Sequence, residues 1–311
     1  MNPSGRIKIV LGTRGSELAL RQTGLVVDAL QKRWAGLTFE IKIVQTRGDN
    51  EKSALADIRA GRKGLFTGAI ERELVSGQID LAVHSAKDLP SSLAPNTEIA
   101  AVLPRDAIDD ALVATTPCDL NSLPGDGIVA TGSVRRQHQL RWKRPDLEIV
   151  DLRGNVPTRL RKLATDCWHA TILAQAGLER LGLKASDGRV EFEGKEFFTA
   201  ILPREIFVPA GGQGIIAMQI RSRDEQLREM VAPINHFDTR LSLRGEREFL
   251  RLLGADCNQP VGAVATIEGS TMQMRGQIFD LGATRPREGH TQGPSEDAEK
   301  LAAELLGKIR A

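Results

Sequence analysis

Short apolar runs alternate with stretches of helical period along most of this chain, and that alternation limits its fold more than any other feature. It is sharpest between Lys63 and Pro90. Phe66, Ile70 and Leu74 fall four apart and share one helical face, which Leu65 and Ala69 widen. Gly77 follows the periodic run, where a left-handed C-cap residue is expected. Ile79, Leu81, Ala82 and Val83 then form a mostly apolar segment, suited to a parallel strand buried on both faces. His84, Ser85, Lys87 and Asp88 stand at its end, closed by Leu89-Pro90. Strand carboxyl ends face the ligand crevice in open α/β sheets, so a lysine and an aspartate here are placed to meet a substrate. A salt bridge in a surface turn is the plainer reading of the same two charges.

The pattern continues on either side. Arg6–Leu11 reads as a strand, turned by Gly12–Ser16 into a helix with Leu18, Leu25, Val26, Ala29, Leu30 and Trp34 on its apolar face. Phe39–Gln45 and Ile99–Leu103 are further strands. Pro104-Arg105-Asp106 marks a crossing into a second unit. There Ile128–Thr131, Leu147–Leu152 and Thr171–Ala174 each lead into a helix, the second opened by Pro157. Lys184–Ala200 is polar and reads as an insertion of hairpin type. Gly211-Gly212-Gln213-Gly214 marks a second crossing, returning Ile215–Ile220 to the first sheet. Helices over Glu225–Ile234 and Thr239–Leu253 precede a loop, then an antiparallel pair, Val261–Ile267 and Met272–Phe279. A last helix carries Ala298, Leu301, Ala302, Leu305, Leu306 and Ile309 in phase, with Ser295 as its expected N-cap. The fold class is therefore α/β: two doubly wound domains and a small α+β C-terminal domain. The expected divisions are 1–104 with about 210–232, then 105–209, then 233–311.

Arginines recur where strands end: Arg14, Arg135, Arg136, Arg153 and Arg159. A guanidinium fork grips a carboxylate through two parallel hydrogen bonds and stays charged at any working pH. Helix N-termini at the same points add N–H donors, so several such sites facing one crevice would suit a ligand with several carboxylates or phosphates; a solvated surface position is the plainer reading of any single arginine. Other chemistries find less support. The formal charge is only +2 and aromatic residues make up 4%, which opposes nucleic-acid binding. No run of about 18 apolar residues is present, and the first ten residues lack the apolar core of a secretory signal. Neither a phosphate-binding P-loop nor a dinucleotide fingerprint occurs, and the five histidines form no metal-ligand pair. Three scattered cysteines fit a reducing cytoplasm. Of these, Cys257 reads unaided as a small buried hydrophobe.

The segments KGLFTGAIERELVSGQIDLAVHSAKDLP, ATGSVRRQ, LRGNVPTRL, AGLERLG, PAGGQG and CNQPVGA, with TRGSELAL and QTRGD near the start, resemble the successive signatures of the porphobilinogen deaminases, also called hydroxymethylbilane synthases. They lie in family order from about residue 8 to residue 263. The resemblance implies a transferase of tetrapyrrole (haem- and chlorophyll-type) synthesis. Such an enzyme joins four porphobilinogen molecules head to tail, with loss of ammonia, to give hydroxymethylbilane. It implies a dipyrromethane cofactor held by a thioether to Cys257, and Asp88 as the catalytic carboxylate. Lys87, Ser85, Thr131, Ser133, Arg135 and Arg136, with Asp88, match the cofactor-binding positions. Arg14, Ser16, Lys63, Arg153, Arg159, Arg180 and Gln213 match substrate-binding ones. The implied fold has two domains like those of periplasmic solute-binding proteins and a third bearing the cysteine. A cytoplasmic monomer is implied, with no metal, nucleic-acid or membrane partner. Three departures stand out: Gly132 in place of a serine, Ala255-Asp256 in place of a glycine pair, and the long stretch Lys184–Ala200. The competing reading is a cytoplasmic two-domain solute-binding protein for a polycarboxylate ligand.

Overall fold

The computed structural model describes residues 8–46, 67–255 and 259–311. In chain order the first elements are β1 (Lys8–Thr13), α1 (Glu17–Arg33), β2 (Thr38–Ile43), α2 (Gly68–Val75), β3 (Leu81–Ser85) and β4 (Thr97–Val102). Next come β5 (Asp110–Ala114), β6 (Ile128–Ala130), α3 (Val134–Lys143), β7 (Glu148–Val150), α4 (Val156–Thr165), β8 (Ala170–Ala174) and α5 (Gln175–Arg180). The chain continues through β9 (Arg189–Phe192), β10 (Lys195–Ile201), β11 (Ile216–Arg221), α6 (Glu225–Val231) and α7 (Phe237–Leu253). It ends with β12 (Val261–Glu268), β13 (Thr271–Ile278), β14 (Arg287–Pro294) and α8 (Ala298–Arg310).

The first sheet has the order β2-β1-β3-β11-β4, with β11 antiparallel to both neighbours. Leu81 and Val83 of β3 pack towards Val26 and Leu30 of α1, while Ala82 packs with Ile70 and Leu74 of α2. Burial on both faces is why this strand reads as a continuous apolar run. Each buried Leu, Ile or Val here contributes roughly 1.5–3 kcal/mol. Leu65 and Phe66 lie outside the described residues. Leu25 departs from expectation: it is 43% exposed, and Gln22 and Thr23 take the interior positions of α1 instead. The reason is local, because the Gln22 amide meets the Ser85 hydroxyl at the end of β3.

The second sheet runs β7-β6-β8-β5-β10-β9. Its β5, with four apolar residues between Asp110 and Thr115, was given no element in the sequence reading. The strand is nonetheless buried along its whole length and antiparallel to β8 and β10. It occupies the place that β11 holds in the first sheet. Each sheet therefore takes its fourth strand from a segment that has crossed over, and both are doubly wound α/β sheets of one strand order. The stretch Lys184–Ala200 does form a hairpin, turned at Glu193-Gly194 with both φ positive, as the strand twist requires. Only β9 is an addition at the edge, since β10 pairs with β5 inside the sheet.

The third sheet, β12-β13-β14, is antiparallel, and α8 lies across it. The sequence showed two of these strands. Arg287–Pro294 is polar and carries Gly289 and Gly293, and it was missed for that reason. A Cβ at these two positions would lie 2.7 Å from Ile309 and 2.8 Å from Leu301, so glycine is what lets the helix close on the sheet. Ser295 does not cap α8. It lies in a 3₁₀ turn, and its N–H donates to Ser270 O.

The two crossings run side by side, joined by Leu103 N–H to Ile216 O and Asp106 N–H to Gly214 O. The buried Glu246 carboxylate of α7 fastens them to the third sheet. It accepts from Arg105 Nη1 at 2.6 Å, from Gly212 N at 2.6 Å and from Ala265 N at 2.7 Å. Among the described residues no helix is long and apolar enough to cross a membrane.

Candidate active site

β3 delivers Ser85 to the carboxyl end of the first sheet, and a 3₁₀ turn over Ala86–Asp88 presents Lys87 and Asp88. The turn is held from below: Ala86 N–H donates to Ile215 O, and Gly212 lies against it. Asp88 stands 3.8 Å from Arg14 Nη1. Lys87 Nζ is 3.4 Å from Gln213 Oε1. Burial, with the Arg136 charge adding to it, brings the Lys87 ammonium down to about 8, against the pull of the Asp88 and Asp110 carboxylates. Ser16 stands at the other strand end, where its hydroxyl caps α1 by accepting from Ala19 N.

The facing residues come from the second sheet. Thr131 and Ser133 follow β6, with Ser133 N–H donating to Thr131 Oγ1. Arg135 and Arg136 occupy the first turn of α3 and are each 5% exposed. Both reach Asp110, which is fully buried at the start of β5: Arg135 Nη1 to Oδ2 at 2.9 Å and Arg136 Nη2 to Oδ1 at 2.6 Å. Gln213 Nε2 donates to the same Oδ1 at 2.9 Å. Burial by itself would raise the Asp110 carboxyl, but the two guanidiniums overcome it and hold it well below the usual carboxylate range. Arg159 donates through Nε to Gly154 O, and burial, then the charges of Arg136 and Arg153, lower it to about 10. The Asp88 carboxylate also acts on Arg159, from the opposite sheet.

These placements differ in character. Arg14, Lys87, Asp88, Arg136 and Arg159 act on one another electrostatically across the two sheets. Arg153 is paired with Asp151 at 3.0 Å. Arg180 is turned to the crossings, where it donates to Asp106 Oδ2 at 2.8 Å and to Gly214 O at 2.7 Å. Lys63 and Cys257 lie outside the described residues. Gly254, in the left-handed conformation, ends α7, and β12 begins at Val261. Gly132, where a serine was expected, has Leu152 O 2.6 Å and Arg153 Nε 3.3 Å from the place of a Cβ. The close approach of the loop carrying Arg153 excludes a side chain there. Asp110 and Gln22 were missed by sequence reasoning; the one signal for Asp110 was an acidic pair ahead of a short apolar run.

A two-sheet α/β cleft set with guanidiniums on one side and a lysine–aspartate turn on the other belongs to a protein that handles an anionic, many-carboxylate ligand. The chain belongs to the porphobilinogen deaminase family. Residues 9–229 match the family's dipyrromethane cofactor binding domain, and residues 241–311 match its C-terminal domain. It is 41% identical over 305 residues to the porphobilinogen deaminase of Moorella thermoacetica, covering 98% of this chain and 94% of that protein. The porphobilinogen deaminase of a Roseiflexus species is 42% identical over 305 residues, covering 97% and 95%. That of Nitrobacter hamburgensis is 40% identical over 315 residues, covering 100% and 96%.

The residues present fit a dipyrromethane, which carries carboxylates. Arg135 Nε and Arg136 Nε are both buried with no hydrogen-bond partner among the described residues. Such donors cost about 1–3 kcal/mol each if left unmade, and a carboxylate supplies the acceptors they lack.

Proposed function

We propose that the chain carries out the porphobilinogen deaminase reaction at this cleft, with Asp88 as its catalytic carboxylate. The enzyme is a transferase of tetrapyrrole biosynthesis. It condenses four porphobilinogen molecules head to tail, releases ammonia at each step and yields hydroxymethylbilane. When bound, the dipyrromethane supplies the free pyrrole carbon at which the chain begins. Cys257 holds it as a thioether, and Ser85, Lys87, Thr131, Ser133, Arg135 and Arg136 hold its polar groups. Arg14, Ser16, Lys63, Arg153, Arg159, Arg180 and Gln213 serve the incoming substrate. The working division of the chain is 1–104 with about 210–232, 105–209, and 233–311, acting as a cytoplasmic monomer.

The observation that carries the reading is one half-buried carboxylate, Asp88, set among Arg14, Lys87 and Arg159. The cations flank Asp88 and take the carboxylates of porphobilinogen. Asp88 then faces the positive charge that develops on the pyrrole as the aminomethyl C–N bond breaks, and it offsets that charge through the pyrrole N–H. It also accepts the proton lost from the carbon that forms the new bond and can pass one to the departing amine.

Intact mass spectrometry tests both parts together. Purified protein is expected to exceed its sequence mass by one dipyrromethane, and Cys257→Ser to lose the excess. After mixing with porphobilinogen, the wild-type mass should advance by pyrrole units. Asp88→Asn should keep the cofactor mass but advance roughly 10²–10³-fold more slowly. A sequence-only mass in active protein would overturn the covalent reading.

A further inference from the structure

We propose that Asp110 is a positioning residue, an internal counter-anion that holds Arg135 and Arg136 in readiness for ligand carboxylates. The inference rests on the reading of those arginines as cofactor partners.

Two guanidiniums on consecutive residues of one helical turn repel each other, and more strongly out of water. They also sit at the positive end of α3, whose first turn holds no acidic residue. Helix stability therefore gives no reason for their position. Asp110 is the carboxylate that each of them meets. One carboxylate cannot neutralise two guanidiniums, and Lys87 adds a further positive charge to the same field. A surplus of positive charge is left over, and it fits an anionic ligand.

The geometry shows which donors are committed. Asp110 takes Arg135 through Nη1 and Arg136 through Nη2. The remaining contacts of Arg135 Nη1 are Gln139 Oε1 and Val208 O, and Arg136 Nη1 donates to Ile172 O. The Nε atom of each has no acceptor among the described residues. Nε lies on one of the edges by which a guanidinium grips a carboxylate. Asp110 thus fixes the forks by their terminal nitrogens and leaves the Nε of each uncommitted among the described residues. Gln213 extends the arrangement to the first sheet, donating to Asp110 through Nε2 and accepting from Lys87 through Oε1. A carboxylate arriving at the arginines would share their charge with Asp110.

That sharing makes a prediction which a plain structural ion pair does not. Before the dipyrromethane is attached, Asp110 is the chief anion for both arginines; afterwards the ligand's carboxylates do part of its work. Asp110→Asn should therefore lower the Tm of cofactor-free protein by on the order of 10 °C, and that of loaded protein by less than half as much. Cofactor-free protein would be made in cells unable to produce porphobilinogen, then loaded with porphobilinogen and checked by intact mass. Loading of Asp110→Asn should be slower by roughly 10–100-fold, as for other residues that orient binding groups. Asp110→Ala gives a second line, because it leaves space for a small anion. Formate should speed its loading while leaving the wild type unchanged.

Equal Tm losses in both forms, with no response to formate, would overturn the proposal and make Asp110 a structural ion pair. The underlying reading fails differently. If Arg135→Lys and Arg136→Lys load as fast as wild type, the arginines are not cofactor partners, whatever Asp110 does.

Discussion

At the scale of single residues, the site works by placing charges where burial makes them matter. Lys87 shows this best. An ammonium ordinarily titrates near 10.5, and here burial, then Arg136, brings it to about 8. The unfolded chain therefore keeps a proton between pH 8 and 10.5 that the folded chain has given up. Since the unfolded state binds more protons in that window, stability rises with pH across it; the penalty is fully present below pH 8 and relieved above 10.5. Lys87→Met removes the penalty. Its Tm advantage over wild type should be largest near pH 7 and should shrink steadily towards pH 10.5. A Tm difference that stays constant over this range would mean that Lys87 has ordinary basicity. The strand-end places of Asp88, Lys87 and the arginines were legible beforehand, although position alone favoured a surface salt bridge for the lysine and aspartate. Asp110 was not, because a carboxylate that serves arginines from another strand leaves no local pattern. Nor was Gln22, a polar residue inside a helix whose partner, Ser85, is 63 residues away.

At the scale of elements, glycines show how the turn carrying Lys87 and Asp88 is supported. Gly212 has φ +78, and a Cβ there would lie 2.8 Å from the Ala86 carbonyl carbon and 2.9 Å from Lys87 N. Both are backbone atoms and cannot swing aside. Gly212→Ala must therefore move the turn that carries Lys87 and Asp88. Gly36 is the control, with φ +89 but nothing within 4 Å of a Cβ. Both substitutions incur a left-handed backbone cost of about 1–2 kcal/mol. Only Gly212→Ala should also reduce kcat, by about tenfold or more, because reacting groups tolerate little displacement. Equal kcat in the two variants would show that the turn adapts. Legibility at this scale followed the neighbouring pattern. Strands next to a helical period, such as β3 and β11, stood out. The equally short β5, followed by no helix before the next strand, and the glycine-bearing β14 did not.

At the scale of the whole molecule, the two crossings and the third sheet meet at one carboxylate. Glu246 is fully buried and binds Arg105 through both terminal nitrogens, at 2.6 and 3.3 Å. It also accepts from Gly212 of the second crossing and from Ala265 of β12. Removing one partner of such a pair leaves a buried charge uncompensated, which typically costs 3–5 kcal/mol. Glu246→Gln keeps the shape but loses the charge, and it should lower Tm by roughly 6–15 °C. The position of the carboxylate gives the loss a form as well as a size. Glu246 joins the third sheet to the crossings, so weakening it should let that sheet melt separately. Calorimetry of the wild type is expected to show one cooperative transition, and Glu246→Gln two, the first belonging to residues 241–311. Replacing both partners, as in Arg105→Met with Glu246→Leu, leaves no unpaired charge and should recover part of the loss. A single sharp transition in Glu246→Gln, within about 2 °C of wild type, would show that apolar contacts such as those of Ile108, Val208 and Val264 hold the units together without it.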